Sequence, residues 1–276
     1  MMKRLLCVSL ILLSALVVSS YKYREIKVTD RDVIYVVHVP QERIKSIVPY
    51  VSESLSFNSE VYEETDAQLV VNAGYFDPRN KKTTSYVMID GEIVSDPTTN
   101  KSLMNNPSLK PYMDKILDRS EFRVMDCKGT RVFDIQKHSA PPMAYKKNQC
   151  KIVHSVQAGP ELYPELRLEE EYFVEWREGS VYRDGISALN RCPRTAIGIK
   201  NNDLYIIIAT TYHRLTLPEL AKFCEDLGLT KAMNFDGGGS SSLNFRGNAY
   251  TNNEPLEIVS DKDKTARKLK SFLVIN

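Results

Sequence analysis

Three consecutive glycines place the strongest constraint on how this chain folds. Gly237, Gly238 and Gly239 directly follow a strand pattern that runs from Ala232 to Phe235. Glycine loses more backbone freedom on folding than any other residue, so a purely structural turn rarely uses three of them. The run therefore indicates that another group must approach the backbone closely. A tight turn beside a flexible serine-rich loop is the alternative interpretation.

Hydrogen-bond donors are concentrated in and after this glycine run. The backbone N–H groups of the glycines and the hydroxyls of Ser240, Ser241 and Ser242 can form a concave surface that holds phosphate oxygens. Asp236 enters the loop at a strand end, where a carboxylate can be held against a ligand. The sequence thus predicts an anion-binding loop with one carboxylate at its entrance.

The loop matches none of the common nucleotide or hydrolase motifs. It lacks the lysine of a P-loop and the G-x-G-x-x-G spacing of dinucleotide-binding loops. It also differs from the G-x-S-x-G elbow of serine hydrolases. The histidines at 38, 138, 154 and 213 do not have the spacing of a zinc site. We interpret them as surface or hydrogen-bonded residues, with His213, just after a strand end, as the one that borders a cleft.

Apolar patterning predicts many short strands and few helices. A turn at Asp90-Gly91 joins two strands in a hairpin, and the polar residues from Lys200 to Asp203 join another pair. Strands and helices mix without a strict βαβ alternation, which favours an α+β fold with a mixed β-sheet packed with helices. We expect a single domain over residues 21–276. The predicted strands are 33–39, 67–71, the two strands of the 87–94 hairpin, 152–156, 194–199, 204–210, 232–235 and 272–275.

One helix is predicted in detail. Thr216 can accept a hydrogen bond from the N–H of Glu219, whose carboxylate can reach back, which is a capping box. Apolar residues then recur at helical spacing, and Cys224 falls on that buried face. Gly228 provides a left-handed stop. By contrast, residues 100–145 contain four prolines among mixed patterns, and we interpret this segment as a surface excursion.

The amino terminus resembles an export signal. Lys3 and Arg4 precede an apolar stretch from Leu5 to Val18, which is too short to span a bilayer comfortably, and small residues follow. We expect residues 1–20 to be a removed signal peptide, with a secreted or extracytoplasmic mature chain that has no membrane span. An uncleaved signal anchor is the alternative.

Composition limits the partners. The 276 residues are 42% hydrophobic and 26% charged, which is typical of a globular protein. The formal net charge is +2, and no dense basic block is present, so nucleic acid is not an expected partner.

Four cysteines remain after removal of the signal peptide, and three pairings of them exist. An oxidising compartment permits disulfides. Because Cys224 lies on the buried helix face, we expect it to stay reduced. Cys127, Cys150 and Cys192 then compete for at most one bridge.

Polar residues beside predicted strands complete the candidate site. The guanidinium of Arg194 offers a planar fork that suits a phosphate or carboxylate, although an arginine at such a place is often only a surface ion-pair residue. Asn72 and Asp77 flank a turn that contains Gly74, where such residues usually satisfy the loop itself.

Five segments resemble, in order, the motifs of the phosphodiester glycosidase (uncovering-enzyme) family: Asn72-Ala73-Gly74-Tyr75-Phe76-Asp77, Gln157-Ala158-Gly159-Pro160, Pro193-Arg194-Thr195-Ala196-Ile197-Gly198, Thr216-Leu217-Pro218-Glu219-Leu220 and Asn234-Phe235-Asp236-Gly237-Gly238-Gly239-Ser240-Ser241. The similarity spans roughly Ala67 to Ile275. It implies a hydrolase that cleaves a sugar 1-phosphodiester, with N-acetylglucosamine or a related sugar released. A sugar phosphate or glycan is then the expected substrate.

The chemistry of that reaction suggests roles for the residues. Ordinary glycosidases need two carboxylates, because an alkoxide leaves badly, whereas a phosphate is already a weak base. We expect Asp236 to activate water or stabilise the oxocarbenium-like centre, and Arg194 and the loop amides to neutralise the phosphate. Glu219 is a rival carboxylate, although its capping role explains its position. The expected substrate-binding residues are Asn72, Gly74, Asp77, Thr195, His213, Gly237, Gly238, Gly239, Ser240 and Ser241.

Two alternatives from other classes stay open. A non-catalytic binder of anionic glycans would keep the glycine loop and Arg194 but would turn over no sugar phosphate. A metal-dependent phosphodiesterase would use Asp77 and Asp236 as oxygen ligands for a divalent cation. The expected enzyme requires no cofactor.

Overall fold

The architecture is that of a computed structural model, which describes residues 22–27, 33–246, 255–260 and 266–276. Of these residues, 47% lie in strands and 17% in helices, so the chain is mainly β. The expectation of an α+β fold therefore holds only in the coarse sense that helices accompany the sheets. The predicted signal peptide, residues 1–20, and its cleavage site lie outside the described residues.

Twenty-two strands are found along the described chain. In order they are β1 (Lys22–Lys27), β2 (Val33–Val39), β3 (Ile47–Ser56), β4 (Leu69–Asn72), β5 (Phe76–Asp77), β6 (Lys82–Thr83), β7 (Val87–Ile89), β8 (Glu92–Ser95), β9 (Ser120–Cys127), β10 (Thr130–Lys137), β11 (Ala144–Tyr145), β12 (Asn148–Gln149), β13 (Lys151–Gln157), β14 (Glu161–Tyr163), β15 (Val174–Arg177), β16 (Ser180–Asp184), β17 (Arg194–Lys200), β18 (Asp203–Ala209), β19 (Lys231–Asn234), β20 (Ser242–Arg246), β21 (Pro255–Val259) and β22 (Leu269–Ile275).

The helices are short and few. The α-helices are α1 (Asn58–Thr65), α2 (Lys101–Met104), α3 (Met113–Leu117) and α4 (Leu217–Asp226), and 3-10 turns are found at Gln41–Arg43, Pro97–Thr99, Lys110–Tyr112 and Gly238–Ser240. Helix α4 begins as the sequence predicts, because the reciprocal bonds of the Thr216–Glu219 capping box are both present. Gly228, at φ +69°, provides the left-handed stop.

Three large sheets form the frame. The six-stranded sheet has the order β1-β2-β18-β17-β19-β14, the β9 sheet has the order β10-β9-β13-β7-β8, and the β4 sheet has the order β21-β20-β4-β22-β3. Within the described chain every strand pairing is antiparallel, so the predicted mixed sheet is wrong. Parallel neighbours need long crossovers, whereas many strands here are joined by tight turns.

The two predicted hairpins are confirmed. Strands β17 and β18 pair through Lys200 and Asp203, and the two residues between them, Asn201 and Asn202, have φ values of 54° and 65°. Strands β7 and β8 turn at Asp90 and Gly91, again with positive φ at both positions. Two consecutive left-handed residues match the right-handed twist of the flanking strands.

The largest hydrophobic cluster draws on all three sheets. Ile197 and Ile206 come from the six-stranded sheet, Phe122 from the β9 sheet, and Val71 and Leu273 from the β4 sheet, and none is more than 1% exposed. The three sheets therefore enclose one common core.

Helices cover the outer faces of two sheets. Leu217, Leu220 and Cys224 of α4 pack with Ile207 and Ala209, which point away from the common core. Both faces of β18 are therefore buried, which explains its continuous apolar sequence. Helix α1 covers the outer face of the β4 sheet in the same way.

The interpretation of residues 100–145 as a surface excursion is wrong. The segment contains β9, whose residues from Ser120 to Met125 are all buried, and β10, which forms a hairpin with it. Polar residues at buried positions, such as Glu121 and Arg123, hide the strand pattern. These two side chains form an ion pair 2.7 Å apart inside the protein.

The expected state of the cysteines is confirmed. Cys127 and Cys150 form a disulfide, while Cys192 and Cys224 are free. Cys224 is buried on the face of α4, as its helical position predicts. Burial also raises the pKa of its thiol to about 12, so it stays protonated and unreactive.

Candidate active site

The end of β4 meets the ends of β17 and β19 at one place, and Asn72 holds them together. Its Oδ1 accepts hydrogen bonds from Thr195 Oγ1 at 2.9 Å and from the Ser242 amide at 3.0 Å. Its Nδ2 donates to the carbonyl of Asp236. The structure thus brings together three of the predicted motifs. Asn72 and Thr195 use these hydrogen bonds to hold the protein's own strand ends and loop together. We therefore reassign both from binding the substrate to positioning the loop.

Backbone bonds fix the direction in which Asp236 enters the loop. The Asp236 amide donates to the carbonyl of Ala73 at 2.8 Å, and the Phe235 amide donates to the carbonyl of Thr195 at 2.9 Å. The residue is therefore anchored to two sheets at once, which limits how far its carboxyl group can move.

The carboxyl group of Asp236 is partly buried and partly open to solvent. The residue is half-buried, and desolvation raises its pKa from 3.8 to about 6. Ser240, Arg267 and the Gly237 amide each oppose this shift by stabilising the charge. A carboxylate with a pKa near 6 is mostly ionised at neutral pH yet basic enough to accept a proton, as a general base requires.

The glycine loop uses much of its own hydrogen-bonding capacity. The Gly238 amide donates to the carbonyl of Pro193 at 2.8 Å, and the Ser240 and Ser241 amides donate to carbonyls within the loop. These three amides do not point outwards as a phosphate cradle would require. The prediction of an amide surface is revised accordingly, and the alternative of a tight turn accounts for this part of the loop.

The glycines are nevertheless required for close approach. A Cβ on Gly237 would lie 3.0 Å from the carbonyl oxygen of Pro193, and Gly238 has a φ of +61°. Side chains would clash at the first position and be strained at the second. The group that comes close to Gly237 is therefore the protein's own backbone, at Pro193.

Two buried serines follow the glycines of the loop. Ser240 and Ser241 are each 1% exposed, and within the described residues neither hydroxyl has a hydrogen bond of regular geometry. The same holds for Oδ1 of Asn234. The Ser240 hydroxyl nevertheless stabilises the charged form of Asp236, so it lies within reach of that carboxyl group.

Arg194 has a different environment from the one predicted. Its guanidinium donates to four backbone carbonyls, those of Leu215 at 2.9 Å, Ile186 at 3.3 Å, Ser187 at 2.6 Å and Asn190 at 2.9 Å. The residue is 2% exposed, and burial lowers its pKa. We therefore revise the predicted phosphate contact: the observed bonds make Arg194 a brace between two loops.

Arg267, which no sequence motif selects, is the cation beside the glycine loop. Its Cδ lies 3.8 Å from where a Cβ on Gly239 would be, and its guanidinium carbon lies 5.2 Å from the ring centroid of Phe76. It is exposed, and its charge lowers the pKa of Asp236. It stands outside every motif, just before β22, so no sequence signal distinguishes it from the other arginines.

The segment after β4 is packed tightly. A Cβ on Gly74 would lie 2.9 Å from the Gln157 carbonyl, so this glycine serves packing and not a ligand. Asp77 accepts a hydrogen bond from the Arg79 amide at 2.9 Å, as a residue that satisfies its own turn does. The predicted binding roles of Gly74 and Asp77 therefore stay without a supporting contact.

Tyr75 is a second residue that sequence reasoning misses. Its hydroxyl donates to the Gly159 carbonyl at 2.8 Å and accepts from Asn234 Nδ2 at 2.8 Å. Burial strongly raises its pKa, and the charge of Asp236 raises it further. Tyr75 is thus a neutral group that links the Gly74 turn to the end of β19.

The Gln157–Pro160 motif joins the same junction. The Gly159 amide donates to the Asn234 carbonyl at 3.1 Å, and the Asn234 amide donates to that of Pro160 at 3.0 Å. Gly159 has a φ of +88°, and a Cβ there would lie 2.1 Å from an oxygen of Glu171. Only glycine fits this position.

Glu219 and His213 lie on the α4 side of the site. Both carboxylate oxygens of Glu219 are engaged, one by the Thr216 amide at 2.9 Å and the other by Arg191. These contacts, the Thr216 amide first, hold its pKa below the usual range. Capping therefore accounts for Glu219. His213 is half-buried in the loop whose Leu215 carbonyl binds Arg194.

Neither a metal cluster nor a membrane-spanning helix is found in the described part of the chain. Its residues include no group of three or more His, Cys, Asp and Glu side chains arranged to hold a metal ion. They also form no helix long and apolar enough to cross a bilayer.

Several solved structures share this fold. The zebrafish N-acetylglucosamine-1-phosphodiester alpha-N-acetylglucosaminidase catalytic domain, auto-inhibited by its pro-peptide, matches with a TM-score of 0.62 and 16% identity, over 93% of this chain and 82% of that one. A hypothetical protein from Synechocystis matches with a TM-score of 0.58 and 13% identity, over 92% of this chain and 61% of that one. A protein of Burkholderia pseudomallei K96243 assigned as exported matches with a TM-score of 0.58 and 14% identity, over 88% of this chain and 74% of that one.

At these identities the structural matches establish the fold alone. No curated protein matches the chain in sequence. A family model described as phosphodiester glycosidase matches residues 65–276, which includes all five motifs and the whole junction around Asp236. Since that match covers well over half of the sequence, the chain belongs to the phosphodiester glycosidase family.

Proposed function

We propose that this protein is a secreted hydrolase that cleaves the bond between the anomeric carbon and the phosphate oxygen of a sugar 1-phosphodiester. The observation that carries the proposal is the half-buried carboxyl group of Asp236, whose pKa of about 6 reflects burial opposed by the Ser240 hydroxyl and by the charge of Arg267. Such a group suits a reaction that needs one base and a site for a negatively charged leaving group.

The reaction is a hydrolysis at carbon. The bond from the anomeric carbon to the phosphate oxygen breaks, and the phosphomonoester leaves with the electron pair. Water adds to the anomeric carbon, and its proton passes to Asp236. No general acid is needed for the leaving group, because a phosphomonoester is a weak base. One carboxylate therefore suffices.

The groups around the phosphate differ from those that the sequence predicts. Arg267 supplies the positive charge, and the hydroxyls of Ser240 and Ser241 supply hydrogen bonds to phosphate oxygens. Asn72 acts through the backbone, since it binds the carbonyl of Asp236, whereas Arg194 braces the loops at residues 186–190 and 215. The exposed Arg267 thus binds the anion. The buried Arg194 supports the structure around the site.

Two findings support the finer parts of the proposal. The zebrafish enzyme of similar fold is named for N-acetylglucosamine-1-phosphodiesters, which makes N-acetylglucosamine the first sugar to test. The Cys127–Cys150 disulfide favours an oxidising compartment, in line with the proposed secretion. Family membership supports the reaction class.

The experiment uses the mature chain and methyl phosphodiesters of N-acetylglucosamine 1-phosphate and glucose 1-phosphate, in heavy-oxygen water. Cleavage at carbon releases a phosphomonoester without the heavy isotope, whereas a metal-dependent phosphodiesterase would place the isotope in the phosphate. Mass spectrometry of the phosphate separates the two. A binder of anionic glycans would release nothing.

The matched variant is Asp236→Asn, which keeps the shape and removes the charge. We expect its kcat to fall on the order of 100-fold or more, with KM little changed. Because the raised pKa means that the charged carboxylate destabilises the fold above pH 6, the variant should be at least as stable as the parent at pH 7. This advantage should vanish below about pH 4, since the carboxyl is then protonated in both states. A near-normal kcat in Asp236→Asn would contradict the assignment.

A further inference from the structure

Positive charge is concentrated at one end of the β9 sheet. The disulfide between Cys127 and Cys150 lies there, and it joins the β9–β10 hairpin to the β11–β12 hairpin. Residues 126–131 and 144–151, which surround it, contain five cations and one acid, whereas the whole chain has a net charge of only +2. The sequence has no dense basic block, so it is the fold that gathers this charge.

Three of these cations occupy turn positions that other residues would suit better. Lys146 and Lys147 form the β11–β12 turn with φ values of 47° and 64°, and Lys128 precedes Gly129 in the β9–β10 turn with a φ of 55°. Two-residue turns of this kind favour Asn-Gly, and the chain itself uses asparagines in the β17–β18 turn. All three lysines are exposed. Long side chains held in the left-handed region at exposed turns indicate a role in binding.

The charges continue across the sheet. Arg131, Asp126 and Lys151 lie directly opposite one another on three neighbouring strands, so their side chains project from the same face. Asp126 also accepts a hydrogen bond from the Gly129 amide at 2.6 Å. We call the cations at this end of the sheet the basic end: Lys45, Lys128, Arg131, Lys146, Lys147 and Lys151.

A cleft of about 280 Å³ opens within the basic end, where the β9 sheet meets the start of β3. Arg131 is fixed in its wall, because the guanidinium donates to the carbonyls of Ile44 at 2.5 Å and Lys45 at 2.9 Å. The volume lies just below the range of about 300–1,000 Å³ that is typical of ligand pockets, so the cleft has room for one small group. The polar residues of its lining include Lys45, Ser46, Asp126, Arg131 and His154.

His154 gives the cleft a hydrogen-bond donor. Its Nδ1 accepts from the Asp90 amide at 3.2 Å, which leaves the proton of the neutral ring on Nε2. Burial lowers the pKa of His154; the charge of Asp90 opposes this shift, and that of Arg131 adds to it. An oxyanion beside Arg131 would counteract the arginine, so the pKa of His154 reports whether the cleft is occupied.

The basic end is separate from the candidate active site. Ile47 of the cleft pairs with Ile275, which pairs with Leu69 at the start of β4. Asn72, which binds the Asp236 carbonyl, is the last residue of β4. Three residues of a strand span roughly 10 Å, so the cleft and the carboxylate lie at opposite ends of this strand.

Charge and shape together favour one class of partner. Cations on two turns and in a cleft fit a chain that carries many anionic groups, since a single small anion would leave the turns without a partner. The cleft also requires an oxyanion that projects from that chain. Sulfate and phosphate esters on a sugar ring project in this way, whereas the phosphates of a nucleic acid are part of its backbone.

We propose that the basic end binds an anionic polysaccharide, with one pendant sulfate or phosphate group in the cleft beside Arg131 and His154 and neighbouring groups on the turn lysines. The inference does not depend on the proposed function, because the polysaccharide is a second ligand and not the substrate.

The test compares dextran sulfate with uncharged dextran by calorimetry, at about 0.15 M salt. The parent protein should bind dextran sulfate and not dextran. The variant Lys128→Asn/Lys146→Asn/Lys147→Gly should bind about tenfold more weakly, because three exposed charges are lost. It should fold like the parent, since it places the favoured residues in both turns.

The matched control removes three exposed lysines from another surface. Lys81→Asn/Lys82→Gln/Lys101→Gln loses the same charge around the β5–β6 hairpin and should keep the parental affinity. NMR titration adds a readout inside the cleft: saturating dextran sulfate should raise the pKa of His154 by about half a unit or more.

Several results would overturn the proposal. They are absence of binding to dextran sulfate, equal loss of affinity in the two triple variants, and an unchanged pKa of His154 in the bound state. Tighter binding of single-stranded DNA or of anionic lipid vesicles, compared at equal charge, would reject a polysaccharide as the partner. An equal effect of inorganic sulfate on His154, at the same concentration of sulfate groups, would reject the need for a polymer.

Discussion

Arg194 and Arg267 lie on either side of one loop and have opposite environments. Arg194 is 2% exposed and gives its hydrogen bonds to backbone carbonyls, whereas Arg267 is exposed and stacks over Phe76. Arg194 precedes the loop in the chain and belongs to a family motif, while Arg267 belongs to none. An arginine that belongs to a family motif is thus not necessarily the one that binds a ligand, because a buried guanidinium uses its hydrogen-bond donors within the protein.

The largest expected effect is on stability, at Arg194. In Arg194→Ala the four carbonyls that accept its hydrogen bonds lose their donor, and buried unpaired groups each cost about 1–3 kcal/mol. We expect the free energy of unfolding to drop by about 3 kcal/mol or more, measured by denaturant titration. Activity should fall with it, since Arg194 and the adjoining Pro193 carbonyl pack against Gly237.

Arg267→Ala is the matched control for that experiment. An exposed side chain away from caps and cores usually changes stability by less than about 0.5 kcal/mol. If both alanine variants were equally stable, the contrast between a bracing and a binding arginine would be lost.

The second effect is on substrate binding, at Arg267. Its charge-assisted hydrogen bond to the phosphate exists before reaction begins, so its loss raises KM more than it lowers kcat. We expect Arg267→Ala to raise KM about tenfold, which corresponds to about 1.4 kcal/mol. Steady-state kinetics with a sugar 1-phosphodiester test this. Lys268→Ala, an exposed neighbour paired with Glu60, should keep the parental KM, and an equal rise there would indicate only long-range attraction.

The third effect is on the pH profile. Asp236 must be ionised to accept a proton, so the rate should fall as the pH drops through about 6. The charge of Arg267 lowers the pKa of Asp236, and its removal should therefore shift this acid limb to higher pH by a few tenths of a unit. Lys268→Ala should leave the pH at which the rate falls unchanged. A shift to lower pH in Arg267→Ala would show that the cation does not act on Asp236.

The smallest effect is expected at Glu219, on the opposite flank of the site. Glu219→Gln keeps a side chain that can complete the capping box but loses the charge that pairs with Arg191. Exposed ion pairs contribute about 0.2–1 kcal/mol, so thermal unfolding should change little. If turnover instead slowed by about 100-fold, Glu219 would be restored as the catalytic carboxylate.

Much of the framework can be predicted from the sequence because its signals are local. The hairpin turns at Asp90-Gly91 and Asn201-Asn202 and the cap at Thr216 each depend on residues only a few positions apart. The same holds for the reduced state of Cys224, which follows from helical periodicity. The resemblance to known motifs adds the family and points to Asp236.

Other features escape prediction because they depend on distant contacts. The strand β9 carries the buried charges of Glu121 and Arg123, which bind each other and also groups at residues 137–138 outside the strand, so its pattern does not resemble a core strand. Arg267 and Tyr75 become part of the site only through contacts with Gly239 and Asn234.

The sequence by itself therefore determined the local turns, the helix cap, the free thiol of Cys224 and the position of one acidic residue at a glycine loop. Only the tertiary structure decided that the described strand pairings outside the predicted hairpins are also antiparallel, that Arg194 braces two loops, and that Arg267 lies beside the carboxylate. The physical reason is that hydrogen-bond donors and charges act through space. Which carbonyl or cation a residue meets depends on how three sheets pack, and the spacing of residues along the chain does not encode that.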